Sequence, residues 1–239
     1  MIKYSVVMPV YCLDDEHREV VFQARKSIIE SSTDFEFILI DDGSPKSPIH
    51  FKNSEYNPDM LIRHKTNRGI ATSWNDGIKI ARGKYIAIVN DDITVQAGWL
   101  EALKNAVNWP KAMISAPGVV GKENFQSIEE NYQWFPGYCF MLTRNTIDNI
   151  GMFDEQFSPF NFEDTDYWTR CLQAGGLLMR NYSTMITHKE GDVLHKLDYD
   201  KVTKINKEKF IKKHGFDPIP VFYQGAKAPW EKNESTILN

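Results

Sequence analysis

The chain has 239 residues, 42% of them hydrophobic and 25% charged, with a formal net charge of −4. That composition suits a globular protein with one substantial core, and the charge excludes a global bias towards nucleic acid. The three cysteines, Cys12, Cys139 and Cys171, are odd in number and far apart; they fit neither a disulfide framework nor a zinc spacing, which favours a reducing cytoplasm.

Met1-Ile2-Lys3-Tyr4 runs straight into a strand-like segment and lacks the features of a signal peptide. No stretch approaches the roughly 20 apolar residues that span a bilayer, so the expectation is a soluble chain, at most peripheral. Tyr4–Met8 reads as a β-branched strand that Pro9 interrupts. Val21, Ala24 and Ile28 then mark a helix, with Asp14 or Asp15 as its cap. Phe35–Ile40 is a second strand and Met60–Arg63 a weaker third. Trp74, Ile78 and Ala81 outline a short helix stopped by Gly83, followed by the strand Tyr85–Val89 and a helix through Leu100, Leu103 and Val107. Further on, Met113–Ala116 and Tyr138–Leu142 read as strands, Gly118–Trp134 as irregular, and Asp164 to Ala174 as a helix ended by Gly175-Gly176. Residues 219–239 are rich in Pro, Gly and polar side chains.

Alternating strands and helices with near-continuous apolar strands predict an α/β fold with a mostly parallel sheet covered on both faces. Ligands of such sheets bind beyond the carboxyl ends of the strands. Tyr11, Asp41-Asp42 and Asn90-Asp91-Asp92 all fall at that edge.

Carboxylates at the rim of a sheet suit a hard divalent cation, which can in turn hold a diphosphate. Adjacent acids on a strand point to opposite faces, so we assign Asp92 to a metal and Asp91 to a ribose or sugar. Asp41-Asp42-Gly43-Ser44 can accept from a base edge or ribose, although Asp-Gly and Ser also make ordinary turns. Glu163-Asp164-Thr165-Asp166 opens a helix, where acids are favourable with the macrodipole alone; Glu163 and Asp166 share a face and Asp164 points elsewhere. His188 and His195 are candidates for a metal or diphosphate contact, against the commoner surface or core histidine. Asn67-Arg68-Gly69 precedes a helix and offers phosphate or base contacts. The lysines of 200–213 make either a solvated helix face or a contact with an anionic surface.

In their order and spacing these segments resemble the GT-A glycosyltransferases, in particular the inverting enzymes of family 2. The matching stretches are Val6–Tyr11, Ile40–Ser44, Asn67–Ala71, Gly83–Asp92, Pro136–Phe140, Ile150–Glu155 and Glu163–Asp166. The resemblance implies a single Rossmann-like GT-A domain over 1–215, with a nucleotide-sugar half at 1–110, an acceptor half at 111–215 and a tail at 216–239. It implies that Pro9, Tyr11, Asp41 or Asp42, Arg68, Asn90 and Asp91 hold the donor nucleotide. Asp92 and His188 would lie at Mn²⁺ or Mg²⁺, Asp164 would be the general base, and Trp134, Gly137, Glu163 and Asp166 would line the acceptor site. Asn90 departs from the family's D-x-D pattern, keeping an oxygen acceptor but losing a charge. The implied activity is inverting transfer of a hexose or deoxyhexose from a nucleoside-diphosphate sugar to a glycan or lipid-linked acceptor. The implied place is the cytoplasm, with peripheral membrane contact through 200–213 and no nucleic-acid partner. Trp134, Phe160 and Phe162 can stack on a sugar, although buried aromatics are the commoner reading. A sugar-phosphate nucleotidyltransferase is disfavoured, because Pro9-Val10-Tyr11-Cys12 stands where its glycine-rich phosphate loop would be. A catalytically degenerate binding module is the alternative that Asn90 prompts.

Overall fold

The computed structural model describes residues 2–46, 56–118, 128–129, 137–189, 198–224 and 226–229. Its first half runs β1 (Tyr4–Val10), α1 (Asp15–Ser31), β2 (Phe35–Asp41), β3 (Met60–Arg63), α2 (Ile70–Ile80), β4 (Tyr85–Val89), the short β5 (Ile93–Thr94) and α3 (Trp99–Val107). The second half adds β6 (Ala112–Gly118), β7 (Ile128–Glu129), β8 (Cys139–Thr143), α4 (Arg144–Ile150), α5 (Glu163–Gln173), β9 (Leu177–Met185), β10 (Thr187–His188) and α6 (Tyr199–His214). Of the stretch 118–134 read as irregular, the described residues are Gly118, Ile128 and Glu129, which belong to strands.

Among the described residues the strands form an 8-stranded sheet in the order β3-β2-β1-β4-β8-β6-β9-β7. The strands from β3 to β4 are parallel. β8 runs antiparallel to both β4 and β6, and β9 returns parallel to β6. Alternation sorts the apolar strand residues into two layers. Tyr4, Val6, Met8 and Val10 pack with Val21 and Ile28 of α1 and Leu103 of α3. Val7, Ile38, Ile40, Ile86 and Ile88 pack against Trp74 and Ile78 of α2 and Trp168 of α5. Both faces are covered, which is why these strands lack a polar alternate.

Two boundaries differ from the sequence expectation, each for a local reason. β1 continues through Pro9 instead of breaking there. Val10 O accepts Asp42 N at 2.8 Å, so Val10 faces β2 and Pro9 faces the β4 side, where pairing ends at Val7–Ile88. No ladder bond is lost to the missing N–H. Helix α2 begins at Ile70 and stops at Ile80, ahead of Gly83. Buried Glu36 takes the Arg82 N–H and Ser5 Oγ takes that of Gly83, which diverts both from the helix. Asp14 is the cap of α1, accepting His17 N at 2.9 Å.

A third cluster joins Phe157, Phe162 and Phe210 of α6 to Phe216 and Phe222, so the segment after 215 packs back onto the domain. All three cysteines are free and buried. No described helix is long and apolar enough to cross a membrane.

Candidate active site

The carboxyl ends of β1 and β4, the loop before α2 and the start of α5 surround a cleft of about 580 Å³. Pro9, Tyr11, Asp42, Asn90, Asp91, Asp92, Gly137, Glu163, Asp164 and His188 line it, so most of the residues singled out from sequence meet at one place. Trp134 and His195 lie outside the described residues.

Asp92 and His188 are brought together by a two-residue antiparallel ladder between β5 and β10, in which Ile93 pairs with His188. Asp92 O accepts Lys189 N at 2.9 Å, and His188 Nε2 stands 3.1 Å from Asp92 Oδ1. The imidazole stacks on Tyr138 with centroids 4.6 Å apart. Asn90 Oδ1 is buried without a partner in the protein. Asp91 turns instead towards His17 of α1, with 3.2 Å between His17 Nε2 and Asp91 Oδ2. Burial pulls the His17 pKa down, but Asp91, Asp92 and Asp14 outweigh it and raise it. Burial raises Asp91 as well, and His17 opposes that shift. The nearby carboxylates thus favour the charged imidazole.

Among the described residues no preformed cluster of three or more metal-ligating side chains exists. The Asp92–His188 pair, with the unpartnered Asn90 oxygen beside it, fits a cation that draws most of its ligands from phosphate and water. Mg²⁺ and Mn²⁺ bind in this way, through one or two protein groups and the substrate's own oxygens.

Asp164 sits in the first turn of α5. Its Oδ2 accepts Gly137 N at 3.0 Å, and its Oδ1 accepts Thr165 N at 2.5 Å and Thr165 Oγ1 at 3.1 Å. Burial raises its pKa and these hydrogen bonds oppose the rise, leaving it above the ordinary aspartate value. A Cβ on Gly137 would lie 3.0 Å from Asp164 Oδ2 and 3.3 Å from Trp74 Cη2, so a larger residue would press both side chains aside by a few tenths of an ångström. Burial, then the neighbouring Asp164, pushes Glu163 well above the carboxylate range.

Three expected site residues do other work. Asp41 is fully buried; it accepts Ser44 N at 2.9 Å and pairs with Arg63 at 3.5 Å, making the turn that its sequence also suggested. Arg68 reaches away from the cleft to Asp76, at 3.0 Å. Asp166 is not an acceptor contact: Arg170 Nε at 2.9 Å, His214 Nε2 at 2.8 Å and Lys213 Nζ at 2.5 Å enclose it and tie α6 to α5. Three residues along a helix climb about 4.5 Å, which carries Asp166 beyond the cleft to α6. Even Asp42, which does line the cleft, is occupied. Its Oδ1 accepts Arg68 N at 2.8 Å and faces His64 Nδ1 at 2.6 Å, and its Oδ2 accepts Gly69 N at 2.9 Å.

Sequence reasoning missed His17 and Ser73, which also line the cleft beside Asn67 and Tyr138. Phe160 and Phe162 are buried and line it too. Asn161 and Phe162 adopt φ of 69° and 74° just before α5, a costly conformation for non-glycine residues. Asn206 of α6 holds that turn in place, donating to Phe157 O at 2.8 Å and Phe160 O at 2.7 Å. Of the lysines of α6, Lys207, Lys209 and Lys213 are bound within the fold, whereas Lys201, Lys204 and Lys212 are exposed.

The family model described as glycosyl transferase family 2 matches residues 5–168. An uncharacterized glycosyltransferase of Escherichia coli (strain K12), YibD, is 32% identical over 103 residues, 42% of this chain and 29% of that protein. The glycosyltransferase GlyG of Streptococcus pneumoniae is 30% identical over 151 residues, 61% of this chain and 48% of that protein. The pre-mycofactocin glycosyltransferase of Mycobacterium tuberculosis is 22% identical over 68% of this chain and 39% of its own length. The chain therefore spans less than half the length of these relatives. Among solved structures, GalNAc-T7 with UDP, GalNAc and Mn²⁺ superposes with a TM-score of 0.66 at 14% identity, over 92% of this chain and 58% of that one. S. aureus TarS 1-349 in complex with UDP-GlcNAc gives 0.63 at 15%, over 87% of this chain and 66% of that one. At such identities the likeness shows the fold, which is that of the GT-A glycosyltransferases.

Proposed function

The chain belongs to glycosyl transferase family 2, and we propose that it transfers a hexose or deoxyhexose from a nucleoside-diphosphate sugar to an acceptor hydroxyl with inversion. One observation carries this reading. The Asp92–His188 pair and the backbone-braced Asp164 line the same cleft, which supplies a diphosphate site and a base within one volume. The UDP and UDP-GlcNAc bound to the fold neighbours support a nucleotide-sugar donor.

In this reading Pro9, Tyr11 and the loop braced by Asp42 bound the nucleotide, with Asn90 and Asp91 near its ribose or sugar. Asp92 and His188 would hold Mn²⁺ or Mg²⁺, which supplies positive charge against the diphosphate. Asp164 takes the proton of the acceptor hydroxyl as its oxygen bonds to the anomeric carbon. The bond from that carbon to the diphosphate breaks on the opposite side, and the nucleoside diphosphate leaves. General-base help of this kind contributes about 10²–10⁴-fold, and the raised Asp164 pKa makes it a better base. Gly137 and Glu163 border the acceptor side. Residues 1–110 form the donor half and 111–215 the acceptor half. The acceptor is a glycan or a lipid-linked glycan, reached at an anionic membrane surface through Lys201, Lys204 and Lys212.

A panel of UDP-, dTDP- and GDP-sugars, each with Mn²⁺, Mg²⁺ or chelator, tests the proposal. The readouts are thermal stabilisation and release of nucleoside diphosphate. One donor giving a metal-dependent response in both is the expected result. Stabilisation without any release would favour a degenerate binding module, with Asn90 as the first residue to revert to Asp. Silence across the panel in a folded protein would refute the reading.

A further inference from the structure

Three side chains that line the cleft carry polar atoms with no hydrogen-bond partner in the protein: Ser73 Oγ, Trp74 Nε1 and Glu163 Oε2. They are deeply set, with Ser73 0%, Trp74 1% and Glu163 6% exposed. Buried polar groups are nearly always paired, because leaving one unpaired costs about as much as a hydrogen bond contributes. Three such atoms around one cleft point to a ligand that completes them.

The scaffold fixes the residues that carry them. Phe140 and Phe153 grip the Trp74 ring edge-on, at centroid distances of 5.3 Å and 4.9 Å. Next to it, Asn75 donates to Phe153 O at 2.9 Å and accepts Phe153 N at 3.0 Å, which pins α2 in place beside the cleft. Glu163 is the first residue of α5, fixed by the left-handed Phe162 before it. The Trp74 ring also reaches the reacting centre: its Cη2 stands 3.3 Å from the point where a Gly137 Cβ would lie, and Asp164 Oδ2 is 3.0 Å from that same point.

The chemistry of the three groups narrows what they bind. An indole N–H only donates, a hydroxyl donates or accepts, and a carboxyl driven towards its neutral form by burial and by Asp164 does both. None of the three is a cation, and the Asp164 carboxylate is the next residue along α5. Their complement is an uncharged group that bears oxygen, such as a ring hydroxyl or an acetamido group. A sugar carboxylate would bring like charge against Asp164.

We propose that Ser73, Trp74 and Glu163 read the transferred sugar, with Glu163 standing between that sugar and the acceptor it also borders, and that they select an uncharged hexose over a sugar acid. This deepens the function proposed above and rests on it.

Calorimetry with UDP, dTDP and GDP, and then with UDP-glucose, dTDP-glucose and GDP-mannose, identifies the nucleotide and measures how much the sugar adds to its affinity. That gain should fall about 3–10-fold in Ser73→Ala and in Trp74→Phe, the size of one lost hydrogen bond, while the affinity for the nucleotide alone stays at the wild-type value. The uronate conjugate of the same nucleotide should bind no tighter than the bare nucleotide. Ser73→Ala should also leave the unliganded melting temperature unchanged or higher, because it removes an unpartnered hydroxyl; a purely structural serine would lower it. An unaltered sugar gain in both variants, no gain in the wild type, or an equal gain from the uronate would overturn the inference while leaving nucleotide binding intact. Failure of every nucleotide to bind would instead overturn the glycosyltransferase reading, and this inference with it.

Discussion

Asp42→Asn separates two roles for a carboxylate at the cleft wall. The side chain holds the loop before α2 through Arg68 N at 2.8 Å and Gly69 N at 2.9 Å, and it faces His64 Nδ1 at 2.6 Å. Asparagine keeps one acceptor oxygen and replaces the other with a donor. With the oxygen towards Arg68 and His64, the new amide points at the Gly69 N–H, which retains Asn67 Oδ1 at 3.0 Å. The loss is therefore the charge assistance on these bonds and one buried amide without an acceptor, rather than every contact. Hydrogen bonds to a charged group contribute about 1.5–3 kcal/mol against about 1 for neutral pairs, so the cost is about 2 kcal/mol. A domain of this size shifts its Tm by about 2–4 °C per kcal/mol, giving a fall of roughly 4–8 °C. The assay is thermal melting without ligand, paired with donor titration. An unchanged melting temperature with donor binding abolished would refute the reasoning, because it would put Asp42 on the nucleotide instead of on the loop.

Asp164→Asn should lower kcat by about 10²–10⁴-fold with the donor Kd unchanged; loss of donor affinity in calorimetry counts against the general-base role. Asp166→Asn leaves His214 and Arg170 facing an uncharged group in a fully buried setting. Stability should fall by about 3 kcal/mol with the KM for donor unaltered, and a KM effect at wild-type stability would return Asp166 to the site. Burial pushes the Glu36 pKa up, but the Ser5 hydroxyl and the Arg82 N–H and guanidinium outweigh it and hold it below the ordinary value. A depressed carboxylate stabilises above its unfolded pKa and loses that contribution as pH falls through the folded one. The stability gap between wild type and Glu36→Gln should therefore be full at pH 7 and close below about pH 4; a gap that persists in acid refutes the linkage.

The first half of the sheet was legible because Phe35–Ile40, apart from Glu36, and Tyr85–Val89 are apolar on both alternates, a pattern that doubly covered strands require. Its edge gathered Tyr11, Asp42 and Asn90–Asp92 as parallel topology demands. The direction of β8 was not legible, since Tyr138–Leu142 reads the same whichever way it runs. Strand alternation says that Asp41 and Asp42 part company, but not which one meets the cleft. Asp166 misled because its partners Lys213 and His214 lie on a helix far along the chain. His17 gave no signal beyond following the capping Asp14, and its partner Asp91 comes from another strand entirely. His188 was singled out because it follows the apolar segment Met185-Ile186 and because the family resemblance implies a histidine there.

Asn206 has a consequence for how the fold can be divided. The segment shared with the family model ends at Trp168, inside α5, yet the turn that presents Glu163 and Asp164 is tethered by an amide on α6. A fragment cut to the shared segment would lack that amide. It would also lose the Phe210 ring that roofs Phe162 at 6.0 Å, removing part of what holds the left-handed Asn161–Phe162 pair. A fragment that keeps this turn therefore includes α6, which lies beyond the segment that the family model matches.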